Sequence, residues 1–260
     1  MSDKAIFLEK TGSHAVLKLN RPDKRNALNL DMWRRMADLL AEAETDPEVR
    51  MLVITGAGNA FTAGADISEM EAVFEDKAIA KTIAKVTYDS QKALYRFPKP
   101  TIAMLRGACI GGGCGIALCC DFRFADTTAK LGITPGKLGL VYSLADTKRL
   151  FDAVGPSSAK DILYTGRILT AEEALKISLI DRLCEPQDLD TEVQFFADQI
   201  SAASQFSARA TKAIIQKILD GSRDDTAETR QLFIDAFSGD DFHEGFAAFV
   251  EKRKPEYGPG

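Results

Sequence analysis

No run of about 18 apolar residues occurs in this 260-residue chain, so no segment is suited to cross a bilayer as a helix. Histidine is scarce. His14 and His243 are the only two, far apart in sequence and without a supporting motif, which argues against a His-rich metal site and predicts surface positions for both. Of the five cysteines, Cys109, Cys114, Cys119 and Cys120 crowd one apolar segment and Cys184 stands apart; no C-x-x-C pair exists. That pattern predicts buried thiols in a reducing, cytoplasmic setting rather than disulfides or a zinc site. The N-terminal MSDKAIFLEK lacks a long apolar core, so neither a secretory signal nor an Arg/Ser-rich transit peptide is expected there. Charge is close to balanced, with a formal net charge of −5. A mildly acidic chain has no bulk attraction for nucleic acid or membrane surfaces, and partners of those classes are not expected. A local basic patch for a phosphorylated ligand stays compatible with this balance.

Hydrophobic residues make up 45% of the chain, enough for one large domain or a domain with an appendage. The first 20 residues read as a hairpin turning at Thr11-Gly12-Ser13. A helix over about 30–44 follows, capped by Asn29 or Asp31. Strands are predicted at Arg50–Gly56, Thr101–Leu105 and Asp121–Ala125, with helices over 77–96 and Cys114–Cys120 between them. Such alternation predicts parallel βαβ units. From Ser143 onward the spacing is helical, near 143–154, 156–165, 171–177, 189–202, 206–219, 224–237 and 240–252. Only Ile180–Cys184 reads as a strand there. A core over residues 1–190 with a helical region over 191–260, serving as a lid or for oligomer formation, is the expected organisation.

Two strand-to-loop transitions are rich in glycine and alanine: Ile54 to Ala65, and Leu105 to Gly113. The second opens a helix, where unpaired N–H groups collect partial positive charge. Two such groups aimed at one point would hold a carbonyl oxygen that becomes negative during reaction, an oxyanion hole. Glycines that merely permit tight turns and close packing are the rival explanation. A dinucleotide fingerprint fits poorly, because the glycine spacing differs and the loop does not follow the first strand.

Four segments, taken together and in order, carry a resemblance. They are Asn20-Arg21-Pro22 with Asn26-Ala27-Leu28-Asn29, then Phe61-Thr62-Ala63-Gly64-Ala65-Asp66-Ile67, then Lys99-Pro100 with Gly107 and Gly111-Gly112-Gly113, then Phe249 through Pro255. Over essentially its whole length the chain resembles the enoyl-CoA hydratase/isomerase (crotonase) superfamily. The resemblance implies an α/β fold with a ββα spiral core, a C-terminal helical trimerisation region, and homotrimers that often pair into hexamers. It also implies an acyl-CoA substrate, with coenzyme A arriving as part of that substrate and no separate cofactor or metal. By position, the N–H groups of Ala65 and Gly112 would form the oxyanion hole. Ala63, Ala65, Asp66 and Ile67 would lie along the coenzyme. Lys24, Phe249 and Lys252 match residues that approach it, the last two often from a neighbouring subunit. Solvated surface charge is the alternative for Lys24 and Lys252.

The sequence departs from the family's hydratases at one essential point. Those enzymes use two glutamates to position and activate water; here the matching positions are Gly115 and, 20 residues on, Pro135. Neither residue carries a proton, so the usual hydration lacks both partners. Enolate stabilisation alone suffices for decarboxylation of a malonyl-type thioester. The segment Thr134 to Ser143 resembles that of methylmalonyl-CoA decarboxylases, in which a tyrosine at the position of Tyr142 orients the substrate carboxylate; those enzymes carry a histidine where this chain has Ala65. A half-buried structural anchor is the other reading of Tyr142. Ser143 is expected as a helix N-cap, and Asp146 as a structural first-turn acid. Asp66, Glu69 and Glu71 are candidate carboxylates from the opposite loop, with solvated loop charge the expectation. Three functions remain: a lyase-type acyl-CoA enzyme, a hydratase with a substitute acid or base, and a non-catalytic acyl-CoA-binding protein.

Overall fold

The computed structural model describes residues 4–69 and 76–258. In chain order the elements are β1 (Ile6–Thr11), β2 (His14–Leu19), α1 (Leu30–Thr45), β3 (Met51–Gly56), α2 (Lys77–Tyr95), β4 (Thr101–Leu105), β5 (Ala108–Ile110), α3 (Gly112–Cys119), β6 (Phe122–Asp126) and β7 (Lys130–Gly132). Then come α4 (Leu144–Thr165), β8 (Ile168–Thr170), α5 (Ala171–Lys176), β9 (Arg182–Cys184), α6 (Leu189–Ser201), α7 (Gln205–Leu219), α8 (Ala227–Ser238) and α9 (Asp240–Glu251).

The strands form two sheets. The larger runs β1-β2-β3-β4-β6-β9, antiparallel only at the β1–β2 hairpin; the smaller runs β5-β7-β8. The chain visits both sheets in each turn. It passes from β4 to β5 and then α3, and from β6 to β7 and then α4. Earlier turns repeat the step with single bridges: Leu28 pairs with Ala65, and Thr62 with Cys109. Strand, strand, helix is thus the repeating unit of a spiral.

The central strands β3 and β4 of the larger sheet are buried on both faces, which explains their unbroken apolar runs. Side chains alternate along each strand. Leu52 and Ile54 of β3, with Ala103 and Leu105 of β4, enter the main core beneath α1 to α3. Met51, Val53, Ile102 and Met104 face the other way, onto Leu189, Val193 and Ala197 of α6. The same alternation places His14 on the α6 face of β2, and there the expectation of a surface histidine fails. His14 is buried, and burial lowers its pKa, partly opposed by the Asp198 carboxylate.

Two further corrections concern short strands. β8 is a strand between the helices expected at 156–165 and 171–177, where only Ile180–Cys184 was expected as a strand, and β5 and β7 are likewise strands beyond those expected. Each has three residues, too few for a period to show. The α4 helix is broken at Gly155, whose φ of 74° explains the gap expected between 154 and 156.

Gly107 has a φ of +52°, and a Cβ there would stand 2.1 Å from the Asn59 carbonyl oxygen. Left-handed strain and the clash act together, so Gly107→Ala is expected to lower stability by at least about 2 kcal/mol. A urea midpoint unchanged from that of the parent protein would contradict this.

Candidate active site

The site begins where successive turns of the spiral leave the smaller sheet. Asn26 organises the first loop. Fully buried, with a left-handed φ of 56°, it accepts from the Arg21 N–H and donates from Nδ2 to the carbonyls of Ala57 and Ala60 (2.9 and 2.7 Å). In the sequence Asn26 stands out only as part of a motif; an asparagine, tolerant of positive φ, at the end of the polar run Asp23-Lys24-Arg25 is the available signal.

The 62–66 segment is held between this loop and β5. Thr62 receives from Ile110 N–H (3.0 Å) and gives its own N–H to Ala108 (2.8 Å). Leu28 N–H donates to Gly64 O, and Asp66 N–H to Leu28 O, leaving the Ala65 N–H between them pointed elsewhere. A Cβ on Gly64 would lie 3.7 Å from Gly112 N and 2.7 Å from Ile110 O, so the two glycine-rich loops meet backbone to backbone. Gly112 is the first residue of α3, and packs on Trp33 and Leu28. Among the described residues neither the Ala65 nor the Gly112 N–H has a protein acceptor. Two free donors on adjacent loops, one at a helix N-terminus, are the kind of arrangement that can receive an oxygen gaining negative charge.

Next to them the structure gathers polar side chains around Gly115, one turn along α3 from Gly112. A Cβ at Gly115 would lie 2.3 Å from Gln91 Nε2, 3.3 Å from the Tyr142 hydroxyl and 3.5 Å from Asp146 Oδ1. Tyr142 donates to the Gly111 carbonyl at 3.1 Å. Burial pushes its pKa well above the usual tyrosine range, helped by the neighbouring Cys114 and Asp146, so it stays a protonated donor. Ser143 is the N-cap of α4, as expected, and its hydroxyl also donates to Asp146 at 2.6 Å. Asp146 is buried and ion-paired with Arg149 at 2.6 Å. Its first-turn position is as expected, but its carboxylate faces the site. Gln91 and Arg149 were missed, because a polar residue on an amphipathic helix gives no sign of facing inward.

The other residues fall into two groups. Lys24 and Asp66 come together, with Asp66 also bound by Arg21 (3.5 and 2.8 Å). The Ser68 hydroxyl, ahead of the Arg21 guanidinium, holds the Asp66 carboxyl well below its usual range. Asp66 is therefore a buried, paired acid rather than solvated loop charge. Glu69 is engaged too, accepting from Leu30 N–H at the start of α1 (2.8 Å). Glu71 lies outside the described residues. Ala63 donates its N–H to Arg25 O, and Ile67 is exposed beside the paired loops. Phe249 and Lys252 stand apart, on α9 and its C-cap; Phe249 is 83% exposed and lines a cavity with Phe206, Phe246 and Tyr257. The cysteines are free thiols, and burial pushes the Cys119 thiol up to about 12, far from nucleophilic.

Residues 9–259 match the family model described as enoyl-CoA hydratase/isomerase. The chain belongs to this family. It is 36% identical to a crotonyl-CoA hydratase of Syntrophomonas wolfei, covering 99% of each chain, and 35% identical to a short-chain-enoyl-CoA hydratase of Clostridium acetobutylicum, covering 96% of each. Its fold superposes with a TM-score of 0.96 on an enoyl-CoA hydratase/isomerase family protein of Hyphomonas neptunium, at 43% identity over 99% of this chain and 98% of that one. An enoyl-CoA hydratase/carnithine racemase structure from Magnetospirillum magneticum gives 0.94 at 33% identity, covering 100% of this chain and 97% of that one. The crotonase-like α/β spiral is therefore the fold. The protein is an enzyme of the enoyl-CoA hydratase/isomerase family, and its relatives are named as hydratases.

Proposed function

We propose that this family member decarboxylates a malonyl-type acyl-CoA thioester. The observation that carries the reading is the environment of Gly115, where a glutamate would stand in a hydratase. Hydrogen-bonding side chains surround that position, yet among the described residues no free carboxylate does, since Asp146 is bound to Arg149 and Ser143. In the proposed step the bond from the α-carbon to the carboxylate breaks. Its electron pair enters the thioester, whose oxygen the Ala65 and Gly112 N–H groups hold as an enolate. Carbon dioxide leaves, and a proton from water restores the acyl-CoA. Tyr142 orients the departing carboxylate. Ala63, Asp66 and Ile67 line the coenzyme's path and Lys24 meets its phosphates, while Phe249 and Lys252 approach from a second copy of the chain.

The assembly belongs to the same proposal. Phe233, Phe237, Phe242 and Phe246 form an exposed ladder along α8 and α9, with successive ring centroids 5.2, 5.7 and 6.3 Å apart. An apolar face of that kind supports burial in a homotrimer or hexamer.

Hydration is the second reading, and Asp146 favours it. Its Oδ1 lies 3.5 Å from the missing Cβ, close to where a substitute acid or base would act. The Arg149 pairing weighs against this role, because the carboxylate is already engaged by the guanidinium at 2.6 Å and by the Ser143 hydroxyl, which leaves it less available to a water. Purified protein incubated separately with methylmalonyl-CoA and crotonyl-CoA separates the readings. Release of carbon dioxide faster than hydration supports decarboxylation. Efficient hydration abolished by Asp146→Asn would replace it, and acyl-CoA binding without turnover of either thioester would leave a binding protein.

A further inference from the structure

Gln91 is 4% exposed, an uncharged amide sunk into the wall between α2 and α3. Burying an amide is costly unless its groups are satisfied. Its carbonyl has a partner: the Arg149 guanidinium, which can only donate, approaches Oε1 at 3.4 Å. That contact fixes which way the amide points. The NH2 end then faces Gly115, where a Cβ would lie 2.3 Å away, and among the described residues it has no acceptor. Arg149 is itself held by Asp146 at 2.6 Å, so the amide is braced from behind by an ion pair. The Tyr142 hydroxyl borders the same space.

From this arrangement we infer that Gln91 is a specificity-determining residue whose Nε2 donates to an anionic substituent carried by the α-carbon of the acyl group. The inference rests on the proposed reading of the site as an acyl-CoA site that accepts a carboxylate. Glycine at 115 is what makes room for the amide, since any side chain there would meet Nε2. A neutral donor suits the position. An unpaired lysine would cost more to bury, whereas the NH2 group binds a carboxylate without adding a charge. Asp146 would repel a substrate carboxylate, and its pairing with Arg149 removes most of that repulsion.

The test uses binding, so that it stands apart from turnover. The ligands are butyryl-CoA and a malonyl-CoA analogue in which a sulfonate replaces the carboxylate and cannot leave as carbon dioxide. The parent protein is expected to bind the sulfonate thioester at least about tenfold more tightly than butyryl-CoA, the scale of a charge-assisted hydrogen bond. Gln91→Leu should erase that preference while changing the butyryl-CoA Kd less than about threefold. Gln91→Glu, of the same shape and able to pair with Arg149, covers the case in which the leucine variant fails to fold; it too should lose the preference. Preference retained in either folded variant, equal weakening toward both ligands, or no preference in the parent protein overturns the inference. Lost preference in the variants, with no carbon dioxide released from methylmalonyl-CoA by the parent protein, would keep the Gln91 role and remove the decarboxylase reading instead.

Discussion

Gly112→Pro is expected to lower turnover by about 10²–10³-fold while leaving the fold intact, because proline deletes one of the two proposed oxyanion donors. The position is unusually well suited to this test. Gly112 is the first residue of α3, where proline is favoured and its missing N–H breaks no helical bond. The preceding Gly111, at φ 53° and ψ −112°, is already outside the helical region that a following proline excludes. Gly112→Ala is the control. It keeps the N–H and adds a Cβ 3.3 Å from the buried Trp33 ring, a crowding that proline's own Cβ shares, so the pair isolates the N–H. Alanine should therefore cost far less than proline. Equal losses in the two variants, with matching circular dichroism, would assign the effect to packing and not to the donor.

Tyr142→Phe removes one hydroxyl and leaves the ring. A hydrogen bond from a neutral donor to a charged group is worth about 1.5–3 kcal/mol, so kcat/KM for a carboxylate-bearing thioester should fall about 10- to 100-fold. A neutral enoyl-CoA makes no such bond and should change less than about threefold. In the free protein the hydroxyl's single proton goes to the Gly111 carbonyl, so a bond to the substrate carboxylate replaces that one, and the variant leaves the carbonyl unpaired beside the oxyanion loop. Damage by that route would strike both substrates alike. Steady-state kinetics on methylmalonyl-CoA and crotonyl-CoA distinguishes the two, and parallel losses would leave Tyr142 as an anchor of the loop.

Much of this site was legible because it is made of backbone. Gly64, Gly111 and Gly112 are glycines for geometric reasons, and positive φ or close approach leaves its mark in the sequence. Ser143 and Asn29 were likewise readable as caps, since capping demands particular short side chains. The spiral's longer strands showed as apolar runs, while three-residue strands such as β5, β7 and β8 offer no period. What stayed hidden is the direction in which polar side chains point. Gln91 and Arg149 are separated by 58 positions in sequence, and only the packing of α2, α3 and α4 brings them to Gly115. Asp66 shows the same limit, since its two cationic partners lie across a loop that the sequence alone does not fold.

The clearest test of the account is a structure of the protein bound to an acyl-CoA whose thioester mimics the enolate. The thioester oxygen is predicted to sit about 2.7–3.1 Å from both the Ala65 and Gly112 nitrogens, with the substituent on the acyl α-carbon against Gly115, Tyr142 and Gln91. A thioester oxygen out of reach of either nitrogen, or an acyl chain directed away from Gly115, would contradict it.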